Sequence, residues 1–278
     1  GTIVVKRPGM GDYHLLALSP DVVAGAATPV TGASLSFSSI TVHGGRLVFD
    51  AGSVVAASNL LTSSGTSTVQ FSTITAAGLL FPAGASTLTG SALNVTAGGV
   101  RVSTASAATL NVSTVAVAVG TLEVNAYSTA TLNGLLLQLP DSLTVGFGAI
   151  LGPNLSSVTF GAGTGLTVQN GGTVSQSTTT RLNVLGVVTL QSGALWTHAA
   201  NTDGGAPWVA NAFVNVAVSG NFDLQAGATI SADSRGYAGS APGGGAGKGP
   251  GGGQQYISGG GGGHGGLGGD GSGGSAFG

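Results

Sequence analysis

The sequence predicts an all-β protein built as a parallel β-solenoid of about 22 residues per coil, followed by a glycine-rich tail without regular structure. Three observations support this prediction. A short apolar-x-apolar motif recurs at nearly constant intervals, and the only periodicity around it is the alternation typical of strands. In addition, charged residues make up only 6% of the chain, so most of the surface must be uncharged.

The recurring motif defines the coils. Its copies begin at Leu79, Val100, Leu122, Leu143, Leu166 and Val188, and the residue numbers of successive copies differ by 21, 22, 21, 23 and 22. Each coil has room for two or three short strands. Equivalent strands of successive coils would pair as parallel sheets, about 4.8 Å apart.

Similar strand and turn patterns flank the regular coils at 45–55 and 220–230. The intervals to them are wider, with differences in residue number of 32 and 34, which predicts loop insertions or less regular coils at both ends. We therefore expect three segments. Residues 1–30 form an N-terminal strand, a cap or an inter-subunit segment, residues 31–235 form the parallel β-helix, and residues 236–278 form the glycine-rich segment.

Alternation assigns the apolar residues to the interior and the intervening Ser and Thr residues to the surface. In one coil the residues expected inside, or nearly so, are Val100, Val102, Leu110, Val112, Val115, Val117 and Val119. In the following coils the inward positions include Leu122, Val124, Val145, Val168 and Leu190.

Three asparagines recur close to the coil period, at Asn111, Asn133 and Asn154. One interpretation is a ladder of side-chain amides that hydrogen-bond along the solenoid axis. The alternative is that Asn only tolerates the backbone conformation of a turn at these positions.

This period and composition resemble the right-handed parallel β-helix of bacterial autotransporter passengers, adhesins and other large extracellular repeat proteins. The resemblance covers roughly residues 30–235. It implies a right-handed solenoid located outside the cell or on its surface. Glycine-rich stretches also interrupt β-helical regions in large microbial surface proteins, which the tail resembles.

The tail is more than half glycine, with 23 Gly among residues 236–278. We expect an ordered insertion or assembly segment, because backbones without side chains can pack closely and bond through their peptides. A flexible linker is the alternative. The tail lacks the Walker spacing, and its Gly-Gly-x-Gly-x-Asp string at Asp270 has no second copy to stack against. We therefore expect neither a metal nor a cofactor.

The composition also indicates which kinds of partner are expected. Seven Lys and Arg residues are too few to neutralise a phosphate backbone, so no nucleic acid partner is expected. No apolar run is long enough for a transmembrane helix. A net charge of −2 gives little repulsion between copies, so self-association into a homopolymer is expected.

The one concentration of aromatic and polar residues suggests a ligand-contact loop that would bind a glycan or a protein. Its candidate residues are Trp196, His198, Asp203 and Trp208. Alternatively, this segment is a lid whose Trp residues cover the end of the solenoid. Three sequons mark Asn94, Asn111 and Asn154 as candidate N-glycosylation sites if the chain is secreted by a eukaryote.

Three classes of function follow from these features. The first is a structural subunit of an extracellular filament or surface coat, assembled through the solenoid ends and the glycine-rich segment. The second is an adhesin-type stalk that displays a binding loop. The third is a polysaccharide-active enzyme, but the carboxylates are scattered one per coil and no pair recurs at aligned positions, so no catalytic residue is expected.

Overall fold

The computed structural model describes residues 2–6, 13–18, 27–202, 209–239 and 247–249. All regular structure in these residues is β-strand, and no helix occurs among them. The strands form a parallel β-solenoid of about eight turns with about 22 residues per coil, as the sequence predicts. The described residues include no helix that is long and apolar enough to cross a membrane.

The strands are numbered in chain order. They are β1 Thr2–Lys6, β2 Tyr13–Leu18, β3 Ala27–Val30, β4 Ser34–Phe37, β5 Ser39–His43, β6 Arg46–Phe49, β7 Val54–Ser64, β8 Ser67–Gln70, β9 Thr73–Phe81, β10 Ala85–Val95, β11 Val100–Val102, β12 Ala107–Val117, β13 Leu122–Val124, β14 Thr129–Leu139, β15 Leu143–Val145, β16 Ile150–Phe160, β17 Gly165–Val168, β18 Thr173–Gln176, β19 Leu182–Leu185, β20 Val187–Leu190, β21 Leu195–His198, β22 Val216–Val218, β23 Phe222–Leu224 and β24 Thr229–Ile230.

Equivalent strands stack into three parallel columns, named A, B and C. Column A contains β2, β5, the ends of β7 and β9, and then β11, β13, β15, β17, β20 and β23. Column B contains β3, β6, β8, the first halves of β10, β12, β14 and β16, and β18. Column C contains β4, the starts of β7 and β9, the second halves of β10, β12, β14 and β16, and then β19 and β22.

Two of the predicted short strands are continuous in the central coils. β10, β12, β14 and β16 each run from column B into column C without a turn. Between β12 and β14 the pairing is interrupted at Val112 and Ser113, where the chain passes the corner. Since this corner of β12 contains no Gly or Pro, the sequence does not mark it as a break.

The wide interval before Leu79 reflects less regular coils, one of the two predicted origins, and it also compares positions in different columns. Leu47 pairs with Val69 in column B, whereas Leu79 pairs with Leu61 in column A, so Leu47 and Leu79 are not equivalent positions. Along column A the chain advances from Ile40 to Leu61 and then to Leu79, so the second of these coils is shorter than the first. The N-terminal coils are therefore irregular in length and contain no loop insertion at this point.

The wide interval near the other end is confirmed. Val188 pairs with Phe222, and Leu182 pairs with Val216, so both columns show the same spacing. The additional residues lie between β21 and β22, at 199–215.

The predicted core is confirmed at all but one position. Val102, Val124 and Val168 are at most 2% exposed, and Val100, Leu110, Val112, Val115, Val117, Leu122, Val145 and Leu190 are also buried. Val119 is 56% exposed, which contradicts the prediction. Its strand ends at Val117, and alternation no longer decides which way a side chain points once the chain turns.

The turn from column A to column B contains a residue with left-handed backbone in each coil from β5 to β23. Glycine occupies this position at Gly44, Gly65, Gly84, Gly148, Gly171, Gly193 and Gly227. Two coils place a larger residue there, Ala105 with φ 58° and Tyr127 with φ 56°. From the coil of Ala105 onward, a hydrogen bond from the fourth residue of the turn back to the first closes it, as from Ser106 N to Ser103 O at 3.2 Å.

The chain divides into two compact units. The first comprises Gly1–Val174, Thr180–Leu195 and Val216–Thr229 and contains most of the solenoid, and the second comprises Ser175–Thr179, Trp196–Asn215 and Ile230–Gly278. In the first unit, β1 runs antiparallel to β2, with Thr2 opposite Ala17. β2 and β3, which precede residue 31, already stack on the next coil. Most of the predicted glycine-rich segment, 236–278, lies outside the described residues.

Candidate functional site

Two of the four side chains expected in a ligand-contact loop are buried instead. Trp196 and His198 belong to β21, and they are 0% and 2% exposed. A buried indole ring cannot stack on a sugar, so the structure corrects the expectation for these two residues. The other two candidates, Asp203 and Trp208, lie outside the described residues.

A buried amide in the second unit positions Trp196. The side chain of Gln176 is 1% exposed, and its Oε1 accepts hydrogen bonds from Trp196 Nε1 at 3.2 Å and from the backbone N of Asn215 at 3.0 Å. Its Nε2 donates to the carbonyl oxygen of Asn215 at 3.0 Å. These bonds give hydrogen-bond partners to buried polar groups that would otherwise destabilise the fold. Gln176 therefore has a structural role.

A second buried amide anchors the segment that follows β21. Oδ1 of Asn201 accepts hydrogen bonds from the backbone N of Asn211 at 2.6 Å and of Ala212 at 3.2 Å. Its Nδ2 donates to the carbonyl oxygen of Arg235 at 3.3 Å. The Asn201 side chain therefore joins described residues on either side of 203–208 through hydrogen bonds to their backbone. Sequence reasoning missed Gln176 and Asn201, because an isolated amide carries no signal of burial.

The charged groups of the described residues are dispersed, and several of them bond to neighbouring coils. Arg101 and Glu123 face each other in adjacent coils and form an ion pair at 3.0 Å, with side chains 59% and 34% exposed. Asp50 and Asp141 accept hydrogen bonds from the backbone N of a turn glycine in the preceding coil, at 3.1 and 3.2 Å. Among the described residues no three His, Asp or Glu side chains come together in a way that could hold a metal ion. The expectation that the chain is not an enzyme stays a prediction.

The asparagine ladder is present. Nδ2 of Asn133 donates to Oδ1 of Asn111 at 2.7 Å, and Nδ2 of Asn154 donates to Oδ1 of Asn133 at 2.8 Å. The three residues are direct partners in the register of β12, β14 and β16, at strand rather than turn positions. The amides therefore hydrogen-bond along the solenoid axis, and the turn interpretation is wrong for these residues.

The three sequon asparagines differ in how their amides are used. Asn111 and Asn154 are the two ends of the ladder. Asn94 lies one column away, and its Nδ2 makes a longer hydrogen bond to Thr75 Oγ1, at 3.4 Å. A glycan is attached through the same amide nitrogen, so its attachment at Asn154 would compete with a ladder bond, whereas at Asn94 it would displace a weak one.

Two exposed aromatic rings lie on the turns of adjacent coils. Tyr127 is 64% exposed and Phe147 is 51% exposed, and their rings meet edge to face with centroids 5.5 Å apart. Glycines of the next coils leave room for them, since a Cβ at Gly148 would lie 2.9 Å from Tyr127 Cδ1 and one at Gly171 would lie 3.0 Å from Phe147 Cδ2. The sequence does not reveal this pair, because the two residues occupy different positions of their turns.

Within the described part of the chain, some strands at each end of the solenoid pair with a neighbouring strand on one side only, which leaves the other edge open. At the N-terminal side β3 pairs only with β6 and β4 only with β7. At the C-terminal side of the first unit β22 pairs only with β19 and β23 only with β20. An unpaired edge presents backbone N–H and C=O groups that another strand can bind.

Comparison of the chain with protein-family models, with curated proteins and with solved structures gives no match. The fold and the surfaces described above are therefore the basis for any statement about function. They define a parallel β-solenoid with a weakly charged surface.

Proposed function

We propose that the protein is a structural subunit of an extracellular filament or surface coat. The observation that supports this most directly is the pair of open strand edges at the two ends of the described solenoid. The edge strands of one copy can continue the columns of the next through backbone hydrogen bonds. A contact of this head-to-tail kind builds a fibre when its rotation does not close a ring.

The charge distribution supports the same proposal. Edge strands of monomeric proteins usually carry charges that prevent pairing with another chain. Here the side chains of β4, β22 and β23 include a single charged residue, Asp223. The N-terminal strand β1 pairs with β2 of its own chain, so we assign the head-to-tail contact to column C, whose edge strands are β4 and β22, rather than to β1.

A charge introduced at the edge tests the proposal. Ala217→Lys adds a positive charge at the middle of edge strand β22, and Ser36→Lys does the same in β4 at the opposite end. Thr114→Lys adds the same charge to β12, in the same column but within the solenoid. Filament length, followed by light scattering and electron microscopy, should fall for the two edge variants and be retained for Thr114→Lys.

Removal of the tail tests the role of the glycine-rich segment. A chain without residues 236–278 should keep the solenoid fold by circular dichroism and should no longer polymerise. If the full chain stays monomeric at high concentration, the filament proposal fails and the adhesin-type stalk replaces it.

The stalk is the second candidate, and the exposed rings of Tyr127 and Phe147 favour it, because aromatic faces bind sugars or protein partners. A glycan array probed with the full chain and with a Tyr127→Ala, Phe147→Ala variant tests it. Binding that this double variant abolishes, in a chain that remains monomeric, would support the stalk. Equal binding by both proteins would contradict a role for this pair.

A further inference from the structure

The outer face of column B carries two parallel rows of polar side chains, which we name the Thr/Asn face. Residues of successive coils are direct register partners within each row. The first row is Thr68, Thr87, Thr109 and Thr131. The second row is Gln70, Thr89, Asn111, Asn133 and Asn154.

The two rows form a regular two-dimensional lattice. Neighbours within a row are one coil apart, about 4.8 Å, and the rows are separated by two residues of a strand, about 6.6 Å. The side chains are also held in place. Thr has a restricted χ1 angle because it is branched at Cβ, and the ladder bonds fix the amides of Asn111 and Asn133.

The side chains of the two rows include both donors and acceptors of hydrogen bonds. The hydroxyl groups of Thr68, Thr87, Thr109 and Thr131 make no hydrogen bond to other described residues, so they remain available to solvent. The amide of Asn133 uses one hydrogen and one lone pair within the ladder and keeps a second hydrogen and a second lone pair. Each threonine also carries a methyl group, so the first row presents apolar as well as polar groups.

The chemistry of the face selects its occupant. From Thr68 onward neither row contains a charged side chain, which disfavours an ionic partner, and neither contains an aromatic ring of the kind that stacks on sugars. What remains is a neutral, periodic array of hydroxyl and amide groups that includes both donors and acceptors. The surface of an ice crystal has the same character, since each oxygen is both donor and acceptor and the oxygens repeat in two directions. Two repeat distances of the ice lattice come close to these spacings. One is slightly shorter than the coil spacing, and the other is slightly longer than the row spacing.

We propose that the Thr/Asn face binds ice. Water molecules held between the threonine methyl groups and bonded to the hydroxyl and amide groups would join the crystal lattice at its surface. The binding would stop growth of the crystal at that point. This role does not depend on filament formation, although a filament would extend the lattice by adding coils.

The experiment measures ice recrystallisation inhibition and crystal shape with the full chain. The test variant is Thr109→Tyr, which places a bulky ring within the two-row lattice. The matched control is Thr167→Tyr. Thr167 is also stacked between threonines, Thr144 and Thr189, but it lies on the narrow column A, where there is only one row. Both variants are first shown to melt as the unchanged protein does.

The proposal expects faceted crystals and inhibited recrystallisation with the unchanged chain and with Thr167→Tyr, and loss of both effects with Thr109→Tyr. Crystals that grow as they do in an inert protein of equal concentration would overturn it. Retention of both effects with Thr109→Tyr would show that another surface is responsible and would overturn it too. Binding to insoluble cellulose or chitin that only Thr109→Tyr abolishes, without an effect on ice, would identify a polysaccharide as the occupant instead.

Discussion

Ala105 and Tyr127 adopt a backbone conformation that the other coils give to glycine. The left-handed region costs a residue with a Cβ about 1 kcal/mol relative to glycine, because Cβ approaches the following carbonyl oxygen. Tyr127 gains an edge-to-face contact with Phe147 in return, whereas Ala105 makes no comparable contact. The strain at Ala105 is therefore the easier one to relieve.

We predict that Ala105→Gly stabilises the protein. Relief of the left-handed strain exceeds the added freedom of the unfolded chain by about 0.5 kcal/mol, which raises the melting temperature by about 1–2 °C. The control is Ala107→Gly, slightly further on, in β12, where glycine should lower stability by about 0.5–1 kcal/mol. Equal effects of the two substitutions in thermal melts would show that the turn is not strained.

The inward side chains are buried so completely that a charged substitution there should strongly destabilise the fold. Val124 is 1% exposed in β13. Val124→Asp should cost at least about 3 kcal/mol, because it buries a carboxylate without a partner. Thr167→Asp places the same group on an outward position of column A and should change stability by less than about 0.5 kcal/mol. Urea denaturation distinguishes the two, and similar midpoints would contradict the assigned alternation.

At the scale of the strand, the asparagine ladder ties three coils together. Asn133 is its centre, since it donates to one neighbour and accepts from the other. Asn133→Ala removes both bonds and should cost about 1–3 kcal/mol. Asn94→Ala removes one long bond and should cost less than about 0.5 kcal/mol. Chemical denaturation of both variants measures the difference, and an equal cost would show that the ladder adds nothing beyond a single side-chain bond.

The elements that sequence reasoning identified are those whose residues repeat in register. The steps from Leu79 to Val188 are the register intervals of column A, because each coil must place its apolar pair over the one before. The N-terminal interval of 32 residues was not a true coil length, because Leu47 and Leu79 belong to similar apolar motifs in different columns. Local patterns do not say which column a strand joins.

The candidate site was less accessible to prediction. The sequence showed that Trp196 and His198 lie near polar residues but not that β21 buries them. Burial there depends on long-range partners such as Gln176, in the preceding coil. The asparagine ladder was recognisable because its spacing equals the coil period. The exposed pair of Tyr127 and Phe147 was missed because its spacing does not.

At the scale of the molecule, the coil is the unit that can be added or removed. Deletion of residues 100–121 removes one whole coil and places Leu122 directly after Gly99, where Val100 stood. The column registers are kept, so the shortened chain should fold into a solenoid one coil shorter, with a similar circular dichroism spectrum per residue.

Deletion of half a coil, residues 100–110, is the matched comparison. It places a column B asparagine where column A begins and shifts the inward residues that follow. We expect this chain to aggregate or to remain unfolded, as judged by circular dichroism and sedimentation. If both deletions fold equally well, the coil is not the structural unit.

The short rise of each coil has a mechanical consequence. About 22 residues advance the solenoid by only one strand spacing, about 4.8 Å, yet the same residues span about 70 Å when they are pulled straight. A force applied to one end peels strands from an edge and breaks their hydrogen bonds a few at a time. Each coil released in this way lengthens the chain more than tenfold relative to its folded rise. A molecule held at both ends under tension would therefore absorb work one coil at a time.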